Sequence, residues 1–543
     1  MSNRRAFCRR HFLGAAGALG AAALLPRSAY SATPAVRRVI IVTALGGLRW
    51  SATFDGQNDP HSNPWGLLPW NIAQGAVKPS WGFSRMLVQR PLPMNASGWN
   101  SVVLPHLISN DPGDYNVLSP TLSAAWNNGV LPSFVDLAAD VALVRATADP
   151  DGPFDGDHQS AALTLMTSYR SGQIGLVTAM QHMLEKQLEG DFATRFPLPS
   201  VNFGPSAFPL SYYAKWGAGS GEYAHSRPLT LRADKLPTVD PGASVSAWGR
   251  KLEDDLGESF RARQGGYMEQ VVADFLNDKS GADQHVGKLV DPALHLLTAD
   301  PLSELGVLLD GTPVTNAMLG EVFGLTSDLA PPGDILFDAI GALKSTPSNS
   351  VTWSENRWSL AGSLAVRLLQ KGAPIVAMTQ GGFDSHSGEV LDLSGGSPQT
   401  VSIVQLTRML CGLSFALRAI ADPLEPARSL WDTTVIVVCS EFGRGEFPNV
   451  APNGFNTVDG SNGGGSGHWP WSGMLLLGGP VVAGGELCAN PEGGSINYET
   501  VTGFYQQNRV VTTVLKAMGI APENNEYLSY AEFPPIENLL AGV

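Results

Sequence analysis

The chain has 543 residues, of which 43% are hydrophobic and 15% are charged. This composition excludes a disordered or fibrous protein and predicts a globular chain with one large domain or two. The formal net charge is −14, and the first 31 residues contain five arginines and no acidic residue, so the rest carries 30 basic against 49 acidic residues. This excess of negative charge disfavours nucleic acid and anionic membrane surfaces as partners.

The N-terminal residues 1–31 have the features of an export signal. A mildly apolar stretch of alanine, glycine and leucine follows Arg9 and Arg10, which resembles a twin-arginine signal, with Arg4 and Arg5 as an alternative pair. The stretch is shorter than the ~20 residues of a membrane span, which disfavours an N-terminal anchor. We therefore predict export by the twin-arginine translocase to the periplasm or the outside, with no stable membrane span after cleavage.

Four apolar stretches predict the strands of a mainly parallel sheet. The first lies in residues 36–47, the second opens residues 140–168, the third begins at Pro374, and the fourth covers residues 435–438. Leucines at helical spacing precede the third strand, at positions 360, 364 and 368, and the fourth, at 406, 410, 413 and 417, where Pro423 marks the end of the helix. This alternation of helix and strand predicts a doubly wound α/β fold.

The middle of the chain differs from the parts on either side of it. Residues 211–350 mix helical stretches with polar turns and lack apolar strand-like runs. We predict that residues 36–543 form one domain and that residues 211–350 are a helical insertion or cap within it.

Polar residues that can take part in catalysis or metal binding follow each predicted strand. They are Ser51, Thr53 and Asp55 after the first, Asp157 and His158 after the second, Asp384 and His386 after the third, and Ser440, Glu441 and Arg444 after the fourth, with His468 on a glycine-rich loop beyond. The ligand crevice of an open α/β sheet lies beyond the carboxyl ends of its strands. We therefore expect these side chains to converge at one edge of the sheet.

The spacing of Asp384 and His386 is chemically suggestive. Two residues apart in an extended segment, their side chains point to the same side. This arrangement suits a metal bound by a carboxylate and an imidazole, or a catalytic histidine oriented by an aspartate. A histidine that is simply hydrogen-bonded in a turn is the alternative, so the pair alone does not decide the function.

Three segments occur in one order along the chain: IVAMTQGGFDSHS, TTVIVVCSEFGR and GSGHWPWSGMLLLGGPVVAGG. Together they resemble the DUF1501 family of exported, sulfatase-like proteins. The resemblance covers most of residues 36–523, with the predicted insertion excepted.

The resemblance implies an alkaline-phosphatase-like, three-layer α/β/α sandwich. The superfamily it suggests contains metal-dependent phosphatases, sulfatases and phosphodiesterases. Carried over to this sequence, Asp384, His386 and His468 match later metal-ligand positions, and Glu441 lies where active relatives place an Asp-His pair. His158, which follows the second strand, joins this set. The implied cofactor is a divalent metal, either Zn, Mn or Ca.

The sequence also departs from the pattern that the resemblance implies. Glu441 is followed by phenylalanine, so one histidine ligand is missing, and the first strand ends without the usual aspartate. The segment after that strand is similar to a phosphodiesterase nucleophile loop, which makes Ser51 or Thr53 the candidate nucleophile. Arg444 could balance the negative charge of an ester. A plain polar loop is an equally good reading of the two hydroxyl residues.

Two hypotheses follow. The first is an exported metal-dependent hydrolase that acts on small or polymer-linked phosphate or sulfate esters. The second is a non-catalytic exported binding protein that retains the fold with a degraded metal site. The retained carboxylates and histidines favour the first, and the missing histidine and aspartate favour the second.

Overall fold

The computed structural model describes residues 34–48, 50, 68–69, 84–85, 121–132, 135–148, 157–167, 174–204, 215–232, 305–324, 353–384, 399–444, 468–469, 471–482, 487–488, 505–520 and 528–543. The strands are β1 Arg38–Ala44, β2 Leu68–Pro69, β3 Ser84–Arg85, β4 Val141–Ala148, β5 Val201–Gly204, β6 Leu229–Arg232, β7 Ile375–Gln380, β8 Ala421–Asp422, β9 Glu425–Ser429, β10 Thr434–Cys439, β11 Gly443–Arg444, β12 His468–Trp469, β13 Ser472–Leu477, β14 Leu487–Cys488 and β15 Tyr505–Gln506.

The α-helices of the same residues are α1 His158–Thr167, α2 Leu176–Leu188, α3 Phe192–Arg195, α4 Asn316–Phe323, α5 Trp353–Gln370, α6 Gln399–Ala419 and α7 Gln507–Ala517. Short 3-10 helices occur at Ala124–Trp126, Val135–Asp140, Glu189–Asp191, Lys215–Gly217, Gly221–Ser226 and Trp431–Thr433.

In the described part of the chain, nine strands form one mixed sheet. Its order is β14-β4-β13-β10-β1-β7-β5-β6, and β15 also pairs with β4. β13 runs antiparallel to both of its neighbours, β10 and β4, whereas the other paired strands run parallel. The prediction of a mainly parallel sheet is therefore confirmed, with β13 as the antiparallel member.

Helices cover both faces of this sheet. Ile40 and Val42 of β1 face a core built with α4, α5 and α6. Val39 and Ile41 face a second core built with α1, α2 and α7. All seven residues of β1 are buried, because a central parallel strand between two helical layers has no solvent-exposed face.

The predicted helix-to-strand units are present, with one difference at a boundary. The leucines at 360, 364 and 368 are buried in α5, and β7 begins at Ile375, close to the predicted Pro374. The second helix, α6, ends at Ala419 rather than at Pro423. The intervening residues form β8, which pairs with β9 in a tight hairpin. Tertiary pairing of this hairpin therefore ends the helix before the proline does.

Parts of the predicted insertion, residues 211–350, belong to the main fold. β6 pairs in parallel with β5 at the edge of the sheet. Helix α4 contributes Met318 and Leu319 to the core beside α5 and α6. Apart from residues 215–232 and 305–324, the segment lies outside the described residues, so a helical insertion remains a prediction.

A buried ion pair fixes the start of β1. Arg38 and Asp422 are both inaccessible to solvent, and Arg38 Nη1 lies 2.8 Å from Asp422 Oδ2. The same carboxylate accepts hydrogen bonds from the Thr433 hydroxyl at 2.7 Å and from the Leu424 backbone N–H at 2.8 Å. The pair therefore connects the first strand to the β8-β9 hairpin, almost four hundred residues later in the chain.

Cys411 and Cys439 are buried, in agreement with the buried thiols that their apolar surroundings predict. Burial raises the pKa of the Cys439 thiol to about 12. The side chain of Cys488 lies outside the described residues. Among the helices that the structure describes, none combines the length and the apolar character of a membrane span.

Candidate functional site

The candidate site lies where β10, β1 and β7 end side by side. In the parallel register, Thr43 of β1 lies opposite Cys439 of β10, and Ala44 lies opposite Gln380 of β7. Because parallel strands end at the same edge of a sheet, the segments that follow these strands meet there. This edge brings together residues that are about four hundred positions apart.

The turn after β1 approaches the segment after β7 very closely. The Leu45 N–H donates to the Gln380 carbonyl at 2.8 Å, and the Phe383 N–H donates to the Leu45 carbonyl at 3.3 Å. Gly46 has a φ of +115° and packs directly on the next peptide, because a Cβ at this position would lie 2.0 Å from the Asp384 nitrogen. Glycine is therefore required here both for its backbone conformation and for the close approach.

Ser440 joins the same turn to the end of β10. Its hydroxyl donates to the Ala44 carbonyl at 2.7 Å and accepts the Leu48 N–H at 3.0 Å. The Ser440 carbonyl in turn accepts the Ser472 hydroxyl at 2.9 Å. These bonds fix the backbone from which Glu441 projects.

His158 reaches the site from the first turn of α1. Asp157 precedes the helix, and its Oδ2 accepts the Ser160 N–H at 2.9 Å, which satisfies one of the helix's exposed N-terminal donors. The His158 ring packs against Phe442, with ring centroids 4.8 Å apart. The sequence after β4 therefore delivers the imidazole to the ends of β7 and β10.

The imidazole of His158 lies between two carboxylates. Nδ1 is 3.0 Å from Glu441 Oε1, and Nε2 is 3.5 Å from Asp384 Oδ2. Glu441 is 1% exposed and its Oε1 also accepts the Gly46 N–H at 2.6 Å, whereas the Asp384 side chain is 38% exposed. The site thus has a buried, firmly bonded carboxylate on one side of the ring and an accessible one on the other.

These surroundings change the protonation of His158. Burial lowers the pKa of the imidazole, but the two neighbouring carboxylates outweigh this effect and raise the pKa to about 9. In the absence of any other cation, the imidazole is therefore charged at neutral pH.

The other predicted site residues are described in part or not at all. Ser51, Thr53 and His386 lie outside the described residues. Arg444 and His468 are described by their backbones, which pair with each other in the antiparallel ladder of β11 and β12. Because Gly443 of β11 also bridges to Leu48, just after β1, the backbone of His468 lies at the same edge of the sheet as Asp384.

The sequence predicted three residues that the structure brings together, His158, Asp384 and Glu441. It missed the supporting roles of Gly46 and Ser440, for which the only signals were a glycine pair after β1 and a hydroxyl residue just before Glu441. Among the side chains that the structure describes, no group of three or more histidine, cysteine, aspartate or glutamate residues has the arrangement of a metal site. The predicted ligands His386 and His468 have side chains outside that set.

Comparison with known protein families finds a match for part of the chain. Residues 360–531 match the model of a family described as "Protein of unknown function (DUF1501)". No curated protein matches the chain. The matched segment contains β7, β10 and β13 together with Asp384 and Glu441. Residues 360–531 are therefore similar to the DUF1501 family, the family that the three sequence segments suggested.

Proposed function

We propose that the protein is an exported, metal-dependent hydrolase of phosphate or sulfate esters with an alkaline-phosphatase-like fold. The observation that supports this proposal best is the convergence of His158, Asp384 and Glu441 at the carboxyl edge of the parallel strands. These side chains come from the ends of three different strand units, and ligand sites of α/β sheets lie at this edge.

The described donors fit a divalent metal in their chemistry and spacing. Two ligand atoms that each lie ~2.0–2.1 Å from a tetrahedral ion are about 3.3 Å apart. His158 Nε2 and Asp384 Oδ2 are 3.5 Å apart, close to this value. His386 and His468 are the candidates to complete the set. An imidazole-rich set favours Zn over Mn and Ca, which prefer oxygen ligands.

Each residue of the site would have its own role. Asp384 and His158 would hold the metal, which supplies Lewis acidity and lowers the pKa of a bound water. Gly46 allows the β1 turn to lie against Asp384, so the two strand ends stay in contact. Arg444 would balance the negative charge of the ester, and Ser51 or Thr53 would be the nucleophile.

One observation favours the second candidate function, a non-catalytic binding protein. Glu441, which the sequence assigned to the metal, accepts bonds from Gly46 and His158, and its Oε2 lies 3.2 Å from the Ser440 hydroxyl. The end of β1 provides buried Ala44 and Leu45 where active relatives place an aspartate. Such a site would retain the fold and bind an anion or a cation without turnover.

We expect the mature protein, purified after export from its native host, to contain a divalent transition metal. Changing Asp384→Asn together with His386→Ala should strongly lower metal occupancy, because one carboxylate and one imidazole ligand are lost. Hydrolysis of aryl phosphates or sulfates should fall with it. Elemental analysis and turnover of an ester panel measure both effects. Asp310→Asn, in an exposed turn, is the matched control and should change neither.

Absence of both metal and turnover from the wild-type protein would favour the non-catalytic function. If the wild-type protein contains metal but hydrolyses no ester, the metal-binding site stands and the hydrolase function is rejected.

Export is tested separately. Replacing Arg9 and Arg10 with lysines should leave the protein in the cytoplasm with its signal uncleaved, because the twin-arginine translocase recognises the arginine pair. Immunoblots of periplasmic and cytoplasmic fractions measure this. Continued export would show that Arg4 and Arg5 are the working pair or that another route is used, and the same change at Arg4 and Arg5 separates these outcomes.

A further inference from the structure

We infer that Glu441 does not bind the metal itself but acts through His158, as the buried carboxylate that holds the imidazole in position for metal binding. The inference rests on the proposed function and changes the role that the sequence assigned to Glu441. It makes Glu441 a positioning residue.

The contact with Glu441 decides which ring nitrogen of His158 carries the proton. Ionised Glu441 is an acceptor only, so the 3.0 Å contact requires that Nδ1 of His158 carries the hydrogen. A metal-bound histidine coordinates through one ring nitrogen and usually donates its other N–H to a carboxylate or carbonyl. The bond to Glu441 therefore leaves Nε2, on the opposite side of the ring, as the coordinating atom.

The two nitrogen-to-carboxylate distances at the His158 ring differ. At 3.0 Å, the contact between Nδ1 and Glu441 has the length of an ordinary hydrogen bond. At 3.5 Å, the contact between Nε2 and Asp384 is longer than such a bond but close to the spacing of two ligands on one ion. The metal position is therefore on the Asp384 side of the ring.

The two carboxylates differ in how accessible they are to a metal ion. Oε1 of Glu441 accepts the Gly46 N–H and faces His158, and Oε2 lies 3.2 Å from the Ser440 hydroxyl. With 1% of its side chain exposed, Glu441 cannot reach an ion without breaking these bonds. Asp384, at 38%, is accessible. The described residues thus supply two ligand atoms, which agrees with the finding that they contain no group of three.

The first test uses Zn²⁺ as the probe and the whole mature protein. Glu441→Gln keeps the shape of the side chain and should still bind Zn²⁺ with the wild-type stoichiometry, but about 10-fold to 100-fold more weakly. Asp384→Asn should weaken binding more than this. Chelator competition measures both affinities, and X-ray absorption counts the oxygen and nitrogen ligands. Glu321→Gln changes a buried carboxylate that is bonded to Ser123 and belongs to α4, on the face of the sheet opposite α1. This control should bind Zn²⁺ as the wild type does.

The second test observes the wild-type protein directly and uses a variant only to assign the signal. In wild-type protein loaded with Zn²⁺ and labelled with ¹⁵N-histidine, NMR should show Nδ1 of His158 protonated and Nε2 bound to the metal. The signal is assigned by its loss in His158→Gln.

The outcomes separate the two proposals. If Glu441→Gln removes an oxygen ligand, Glu441 is itself a ligand, and if His158 is protonated at Nε2, the ring does not coordinate through that atom. Either result overturns this inference while the metal site stands. If the wild-type protein binds no Zn²⁺, the proposed metal site fails and the inference fails with it.

Discussion

Replacing Asp422 with asparagine is expected to lower the free energy of unfolding by about 3 to 5 kcal/mol. The carboxylate is fully buried and lies 2.8 Å from the equally buried guanidinium of Arg38. Removing one partner leaves the other charge in the protein interior without compensation, and this is much more costly than losing a surface ion pair. The hydrogen bonds from Thr433 and Leu424 to the same carboxylate add to the cost.

A neighbouring pair provides the matched control. Arg37 and Glu425 also form an ion pair, at 2.6 Å, but the Glu425 side chain is 38% exposed. Glu425→Gln should therefore cost less than about 1 kcal/mol. Urea unfolding of the mature protein measures both variants. Equal effects of the two substitutions would contradict the assignment of the Arg38-Asp422 pair as the buried connection between β1 and the β8-β9 hairpin.

The Asp422 carboxylate also predicts a dependence on pH. Burial alone would raise the pKa of Asp422, but the charge and the hydrogen bonding of Arg38 outweigh this and hold the pKa below its usual value of about 4. A group whose pKa is depressed by folding stabilises the protein above its unfolded pKa. This stability is lost as the pH falls through the folded pKa. This loss of stability at low pH should be absent from the Asp422→Asn variant.

Gly46→Ala is the second substitution with a large expected effect. Its left-handed φ of +115° disfavours alanine, by about 1 to 2 kcal/mol, and the new Cβ would lie 2.0 Å from the Asp384 backbone nitrogen. Because both contacting segments are backbone, one must move, which costs about 1 to 3 kcal/mol more. The free energy of unfolding should therefore fall by about 2 to 5 kcal/mol in total.

Gly311→Ala separates the two causes. Gly311 also has a positive φ, of +87°, but an added Cβ would meet no atom within 4 Å. This control should show the conformational cost alone, about 1 to 2 kcal/mol. Gly46→Ala should also weaken Zn²⁺ binding, because the displaced segment carries Asp384, whereas Gly311→Ala should not. Equal losses of stability in the two variants would mean that the turn after β1 can accommodate a Cβ at position 46 without displacing the segment after β7.

The continuous apolar runs of the sequence were sufficient to predict the central strands. A parallel strand between two helical layers is buried on both faces, so β1, β7 and β10 each contain an uninterrupted apolar run, VIIV, IVAM and VIVV. The short edge strands, such as β6 within the predicted insertion, have no such pattern. Their position depends on a neighbour, β5, that offers a free edge.

The convergence of His158, Asp384 and Glu441 could also be predicted, because the rule for parallel strand ends needs only strand positions. The rule does not say which atoms face one another. Gly46 and Glu441, which are 395 residues apart, form their bond because β1 and β10 pair in one particular register. A similar dependence on tertiary pairing applies to Arg38 and Asp422.

By itself, then, the sequence determined the central strands and the polar residues that follow them, since apolar runs and the residues directly after them are local properties of the chain. Tertiary structure alone decided that Glu441 is enclosed and Asp384 accessible, although both follow a buried strand at a similar distance. The reason is that exposure depends on what packs above a residue. The β1 turn and α1 cover Glu441, whereas the side chain of Asp384 stays partly open to solvent.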